Sequence, residues 1–301
     1  MSPKKIIEIK NLTKHYGDVV GIQNLSLDVY QGEIMGFLGP NGAGKTTTIR
    51  SCLDLIEKMQ GNISIFGMDS HRDAVAIRRQ TGYIPGDFGL IPGVSVRSYL
   101  KYLLSLGNYT SSQKMESLAK RLELDIQRTT NELSKGNRQK VGIVQALMMD
   151  QQLIIMDEPT VGLDPLMQQE FYRILNEEQE AGKTVFMSSH ILAEVEQVCD
   201  RVAIIRNGEL QVVEDIAVLQ NKTGKILEVE FRGDIDPAEF NIPGVTDVQQ
   251  KDGHIKMTVH SNLDTIIKQV ANYPVLNMRL QTYNLEQLFL KYYSDERGDD
   301  K

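Results

Sequence analysis

The residues with the clearest chemistry form a glycine-rich octapeptide at positions 39–46, which fits G-x-x-x-x-G-K-[ST] at every fixed position. Such a loop points its backbone N–H groups at phosphate oxygens, and the following helix adds partial positive charge at its N-terminus. In this pattern Lys45 reaches the β- and γ-phosphates of a nucleotide, and the Thr46 hydroxyl is a ligand of Mg²⁺. The predicted nucleotide-binding residues are Gly39, Pro40, Asn41, Gly42, Ala43, Gly44, Lys45, Thr46 and Thr47.

The segments on either side of this loop have the patterns that a phosphate site requires. Residues 34–38 are a short apolar run, typical of a buried strand, and Ile49, Cys52, Leu53 and Ile56 recur at helical spacing. A strand, a glycine-rich turn and a helix in this order distinguish a binding loop from a glycine-rich turn that happens to carry a lysine.

A pair of acidic residues ends a second apolar run, at positions 153–156. The carboxyl end of a buried strand is where ligands bind in α/β sheets. There, Asp157 is placed to hold Mg²⁺ through water, and Glu158 to act as the general base that polarises the attacking water. Taken alone, the pair is also compatible with two surface acids that follow a strand.

The heptapeptide at 133–139 predicts a second anion site in the same chain. Ser134 and Gly136 stand where a helix begins, and a serine hydroxyl with free N–H groups binds anions there. One nucleotide needs only one such loop, so two anion-binding ends favour a head-to-tail pair of subunits, each closing over the nucleotide of the other. An ordinary helix cap is the alternative interpretation.

These motifs and their order, over about residues 4–215, resemble the ATP-binding subunit of an ABC transporter. The resemblance implies that Tyr16 stacks on adenine, that Asp157 and Glu158 are the Walker B aspartate and the catalytic glutamate, and that His190 contacts the γ-phosphate. It also implies two sets of residues at a dimer interface: the signature residues Ser134, Gly136 and Gln139, which face the partner's nucleotide, and the D-loop residue Asp164.

The chain departs from the family pattern in two places. The signature has Lys135 and Asn137 where the family usually has Gly and Gln. The second departure is Gly86, which occupies the position of a Gln or Glu that contacts Mg²⁺ and water in the family. The neighbouring Asp87 could replace that ligand by a shift of one residue, but our hypothesis is that Asp87 is not a strong metal ligand.

The predicted fold is α/β: a P-loop ABC-type nucleotide-binding domain with a mixed sheet, followed by a small α+β domain. The first domain covers residues 1–221 with a helical subdomain at about 87–149, the accessory domain covers 222–293, and 294–301 form a polar tail. Within the first domain we expect a helix at 165–181 and a hairpin that turns at Asn207 and Gly208. In the accessory domain we expect strands around 227–231, 255–259 and 276–280, and helices near 266–270 and 285–292.

Composition excludes several classes of protein. Of the 301 residues, 41% are hydrophobic, which is enough to form a core. The net charge of -7 argues against nucleic acid as a partner. Cys52 and Cys199 lie in helical apolar patterns and are expected to be buried thiols in a reducing compartment. We see no secretory segment and no apolar run near the roughly 20 residues that span a bilayer. The resemblance to an ABC transporter subunit implies a peripheral location at the cytoplasmic face of a membrane.

The predicted activity is that of an ATPase, with ATP and Mg²⁺ as cofactors. A dimer of two ATP-binding subunits, identical or different, would power a separate integral membrane transporter subunit. The C-terminal domain favours export by analogy, while the transported substance and the role of that domain are not encoded in a recognisable motif. The alternative is a soluble ABC-type ATPase that acts on the ribosome or DNA, although the interval between Lys45 and Leu133 has no sustained heptads. A GTPase switch is disfavoured because no Asn-Lys-x-Asp motif is present.

Overall fold

The computed structural model describes residues 3–107, 109, 111–233, 235–251 and 253–282. The chain divides into two compact units, and the boundary along the chain falls between Val213 and Glu214. The boundary expected from composition, between residues 221 and 222, falls inside a helix at Ile216–Thr223. The boundary defined by contacts within the folded chain therefore lies eight residues before the boundary predicted from composition.

A six-stranded sheet forms the centre of the first unit, and its order is β10-β9-β3-β8-β7-β6. The strands are β3 (Ile34–Leu38), β6 (Thr81–Ile84), β7 (Leu153–Asp157), β8 (Thr184–Ser189), β9 (Arg201–Arg206) and β10 (Glu209–Asp215). Neighbours from β9 to β6 are parallel, so their carboxyl ends meet at one edge. In register, Leu38 pairs with Ser189 and Asp157 pairs with Ser188. The expected helix at 165–181 and the hairpin at Asn207 are both present.

A second sheet, antiparallel, has the order β2-β1-β4-β5. Its strands are β1 (Lys5–Tyr16), β2 (Val19–Tyr30), β4 (Gln60–Ile65) and β5 (Met68–Asp69). Apolar residues from both sheets and from the first helix form one continuous core. Because residues of both β3 and α1 belong to this core, both ends of the glycine-rich loop are held in place.

Along the chain, the helices of the first unit connect successive strands of the parallel sheet. They are α1 (Lys45–Cys52), α2 (Ala74–Arg79), α3 (Val96–Leu106), α4 (Gln113–Arg121), α5 (Lys135–Leu147), α6 (Pro165–Glu180) and α7 (Leu192–Val198), with a 3₁₀ turn at Thr130–Glu132. Among its described residues, the predicted helical region at 87–149 contains the helices α3, α4 and α5. Within the described residues, no helix is both long enough and apolar enough to cross a bilayer.

The second unit is a four-stranded antiparallel sheet with the order β12-β13-β11-β14. Its elements are α8 (Ile216–Thr223), β11 (Lys225–Phe231), β12 (Val245–Lys251), β13 (His254–Val259), α9 (Leu263–Val270) and β14 (Val275–Thr282), with a 3₁₀ turn at Pro237–Phe240. One face of the sheet forms a small core with α9. The last expected helix, at 285–292, and the polar tail lie outside the described residues.

Candidate nucleotide site

The glycine-rich loop joins β3 to α1, as its sequence context predicts. Gly44 has a φ of 109°, and a β-carbon there would lie 2.5 Å from the Gly21 carbonyl oxygen. Only glycine is free of this penalty. Lys45 is buried and donates to the carbonyl oxygens of Gly39 at 2.7 Å and Pro40 at 3.1 Å, so the loop closes around its own lysine.

Asp157 is fully buried at the carboxyl end of β7. The Ser188 hydroxyl donates to one of its oxygens, Oδ1, at 2.6 Å and accepts from the Glu158 N–H at 3.0 Å. The second oxygen, Oδ2, has no hydrogen-bond partner among the described residues. A buried carboxylate oxygen without a partner is costly, so this atom fits a ligand that the structure does not contain.

Glu158 brings together residues that are far apart in sequence. Its backbone has a φ of 52°, in the left-handed region that is uncommon for residues other than glycine. One carboxylate oxygen lies 3.1 Å from Lys45 Nζ and the other 2.7 Å from His190 Nδ1. The site thus holds a carboxylate, an ammonium group and an imidazole within hydrogen-bond distance, next to the phosphate loop.

The predicted signature forms the N-terminus of α5. Ser134 is exposed and accepts from the Asn137 N–H at 3.3 Å, so it caps the helix. At Gly136 a β-carbon would lie 2.5 Å from the Gly162 carbonyl oxygen, so the signature packs closely against the predicted D-loop. That loop ends at Asp164, which caps α6 by accepting from the Met167 N–H at 3.0 Å.

Gln139 differs from the expectation that its side chain faces a second subunit. The side chain is buried and donates to the Pro159 carbonyl oxygen at 2.8 Å. The reason is its position one turn into α5, on the side of the helix that packs against the loop after Glu158. In this structure Gln139 therefore joins α5 to the loop after Glu158 in its own chain.

Tyr16 ends β1 and is half exposed, with the Lys14 ammonium 5.3 Å from its ring centroid. A β-carbon at Gly21 would lie 3.0 Å from the Tyr16 ring, and the Gly21 carbonyl oxygen lies beside Gly44. An exposed aromatic ring therefore stands near the end of the phosphate loop.

Comparison with known proteins agrees with this geometry. Residues 22–161 match the family described as ABC transporter. The bacitracin transport ATP-binding protein BcrA of Bacillus licheniformis is 38% identical over 232 residues, 75% of each chain. The chain belongs to the ABC transporter ATP-binding proteins.

Two further matches show how far the similarity of this ABC protein extends. The uncharacterised ABC transporter ATP-binding protein YdbJ of Bacillus subtilis is 31% identical over 98% of this chain and 94% of its own. A solved structure, titled as the dimeric structure of the bacterial ABC transporter cassette MJ0796, has 25% identity and a TM-score of 0.65, and covers 70% of this chain and 98% of its own. The fold prediction is confirmed, and the protein is an ABC ATPase that binds ATP.

Gly86 stands where the family usually has Gln or Glu, and it lies directly against the buried Asp157. A β-carbon at Gly86 would lie 3.0 Å from Asp157 Oδ2, the oxygen without a partner. The neighbouring Asp87 is exposed. The glycine therefore leaves open the space in front of Oδ2 that a side chain would occupy.

Sequence reasoning missed the role of Ser188, which orients both acidic residues. The signal was available, since a serine immediately before Ser189 and His190 ends a strand parallel to the one that ends in Asp157. Only the register, Asp157 opposite Ser188, shows that the hydroxyl and the carboxylate meet.

Proposed function

We propose that this ABC protein hydrolyses ATP with Glu158 as general base, Lys45 as phosphate ligand and His190 as a contact of the γ-phosphate. The observation that carries the proposal is the Glu158 carboxylate, held between Lys45 Nζ at 3.1 Å and His190 Nδ1 at 2.7 Å. When ATP binds, its phosphates compete for Lys45, which frees the carboxylate to accept a proton from water. His190 then donates a hydrogen bond to the γ-phosphate.

Mg²⁺ fits the residues present. Thr46 and Asp157 supply hard oxygen ligands, which Mg²⁺ prefers, and Asp157 Oδ2 has no other partner among the described residues. We propose that Thr46 holds the ion directly and Asp157 through water. Bound there, the ion would neutralise charge on the β- and γ-phosphates.

The remaining predicted residues fit a closed dimer of cassettes. Tyr16 is exposed for adenine stacking, and Ser134 is exposed at a helix N-terminus that can bind a phosphate of a partner's nucleotide. We propose a head-to-tail dimer in which the Asp164 loop crosses the interface. A solved cassette of the same family is titled as dimeric, which supports this arrangement.

We further propose that the dimer works peripherally at the cytoplasmic face of a membrane, with a separate integral membrane subunit. The family and the BcrA relative, whose name states bacitracin transport, support transport over action on the ribosome or DNA. The C-terminal unit, residues 222–293 as predicted from sequence, supports export by analogy with exporter-type subunits.

The test is affinity capture of tagged Glu158→Gln protein from detergent-solubilised host membranes with Mg²⁺ and ATP. We expect a multi-span membrane protein in stoichiometric amount, because the variant holds ATP and stays closed. The matched control is Lys45→Ala in the Glu158→Gln background, which should lose the nucleotide-dependent partner. Ribosomal or DNA-repair proteins in place of a membrane protein would contradict the proposal.

A further inference from the structure

A buried carboxylate outside the nucleotide site connects its two catalytic loops. Glu194, on α7, is only 5% exposed. Its two oxygens accept hydrogen bonds from Thr160 Oγ1 and Ser189 Oγ, each at 2.6 Å. In the part of the chain that the structure describes, the partners of Glu194 are these two hydroxyls, and no cation forms an ion pair with it.

The two hydroxyls belong to the loops that carry the proposed catalytic residues. Thr160 follows Glu158 by two positions and is buried, and its carbonyl oxygen accepts from the Leu163 N–H at 3.0 Å. The loop from Glu158 to the cap of α6 is therefore fixed at Thr160, two positions after Glu158. Glu194 contacts this loop through the Thr160 hydroxyl.

Ser189 stands immediately before His190 and accepts two further hydrogen bonds. Its hydroxyl accepts from the Ile191 N–H at 2.9 Å, and its carbonyl oxygen accepts from the Gly39 N–H at 3.2 Å. Because side chains alternate along a strand, Ser188 faces the acidic pair while Ser189 faces away, toward Glu194. One carboxylate thus fixes the position of the histidine loop relative to the loop after β7.

We propose that Glu194 is a positioning residue for ATP hydrolysis, which sets the distance between Glu158 and His190 by holding Thr160 and Ser189. The inference rests on the roles proposed above for Glu158 and His190. A buried carboxylate is costly unless it accepts strong hydrogen bonds, and charge-assisted bonds of this length restrict the geometry of both donors. Displacement of a catalytic group by about 1 Å can reduce turnover about a hundredfold.

The first test measures kcat and KM for ATP in the full-length Glu194→Ala protein. We expect kcat to fall at least thirtyfold, while KM stays within twofold, because the phosphate loop keeps its own contacts. Calorimetric titration with a non-hydrolysable ATP analogue counts the folded sites, so the loss is expressed per competent site. Turnover within threefold of wild type per site would overturn the proposal.

A matched control separates positioning from general loss of a buried charge. Glu178 is similarly buried on α6, and it pairs with Lys114 at 2.7 Å and with Lys183, next to the first residue of β8. That end of the strand is opposite to His190. Glu178→Ala should lower the melting temperature but keep kcat per site within twofold. An equal loss of kcat in both variants would contradict positioning.

Two further variants keep the test decisive if Glu194→Ala does not fold. Glu194→Gln keeps the volume and one acceptor oxygen, so we expect kcat within fivefold of wild type. Thr160→Val removes one of the two hydrogen bonds at constant volume, and we expect kcat at least fivefold lower with unchanged KM. Thr160→Val turnover within twofold of wild type would refute the proposal.

The failure of this inference is distinguishable from failure of the proposed function. If Glu158→Gln abolishes turnover while Glu194→Ala does not, only the positioning role is wrong. If Glu158→Gln itself turns over ATP within threefold of wild type, the assignment of the base is wrong.

Discussion

The substitution Glu158→Gln tests the site most directly, because it removes one charge without changing shape. In the structure this carboxylate faces Lys45 Nζ at 3.1 Å and His190 Nδ1 at 2.7 Å. A glutamine oxygen can still accept from one of these neighbours, but the amide cannot accept a proton from water. The change should therefore remove proton transfer while keeping the architecture.

Two opposite effects follow, and their sizes can be worked out. Loss of a general base typically costs a factor of about 10² to 10⁴ in turnover, or about 2.7 to 5.5 kcal/mol in activation free energy. Nucleotide binding should change the other way, because the carboxylate competes with phosphate for Lys45. At 3.1 Å and an effective dielectric constant of about 20, the Coulomb attraction is about 5 kcal/mol. Since Glu158 is partly exposed and glutamine keeps one hydrogen bond, the net competition is about 1 kcal/mol, or about fivefold tighter binding.

The assay combines phosphate release at saturating ATP with calorimetric titration of a non-hydrolysable analogue. Glu158→Asp is the control, because it keeps the charge but withdraws it by one methylene, and its turnover should lie between those of the wild type and Glu158→Gln. Turnover of Glu158→Gln within threefold of wild type, or analogue binding more than tenfold weaker, would refute this account of the site.

Three further predictions concern the loop, the metal site and the cysteines. Lys45→Ala should weaken binding of the ATP analogue at least tenfold by calorimetry, since the ammonium both binds phosphate and braces its loop; an unchanged affinity contradicts this role. Asp87→Ala should keep hydrolysis within threefold, because Asp87 is exposed, and a hundredfold loss means that our hypothesis about this residue is wrong. Burial raises the pKa of the Cys52 thiol to about 12 and raises that of Cys199. Only about one Cys52 thiol in 10⁴ is ionised at pH 8, so the folded protein should resist alkylation, whereas denaturant should expose both thiols; rapid labelling of the folded protein would contradict their burial.

The accessory unit shows where sequence patterns reach their limit. Its strands β11 and β13 alternate apolar and polar residues, and both follow the predicted positions. The strand β12 (Val245–Lys251) was not predicted, because most of its residues are polar. It lies at the edge of its sheet, where backbone pairing with β13 requires little apolar surface.

The sequence by itself determined the phosphate loop, the acidic pair and the buried strands that precede them. Each of these depends on neighbours within a few positions: glycine spacing sets the turn, a continuous apolar run sets a buried strand, and the residue after that strand must lie at the sheet edge. The number of residues between Lys45, Asp157 and His190 does not indicate how close their side chains lie in the fold. Their motifs do, because each motif places its residue at a nucleotide site.

The tertiary structure alone decided which side chains meet. The register of β7 against β8 places Ser188 on Asp157. Packing of α5 brings Gln139 into contact with Pro159 of its own chain, and packing of α7 brings the buried Glu194 into contact with Thr160 and Ser189. Such contacts join positions that are far apart in sequence, and local propensity does not encode strand register or helix rotation about its axis, because both are fixed by the shared core.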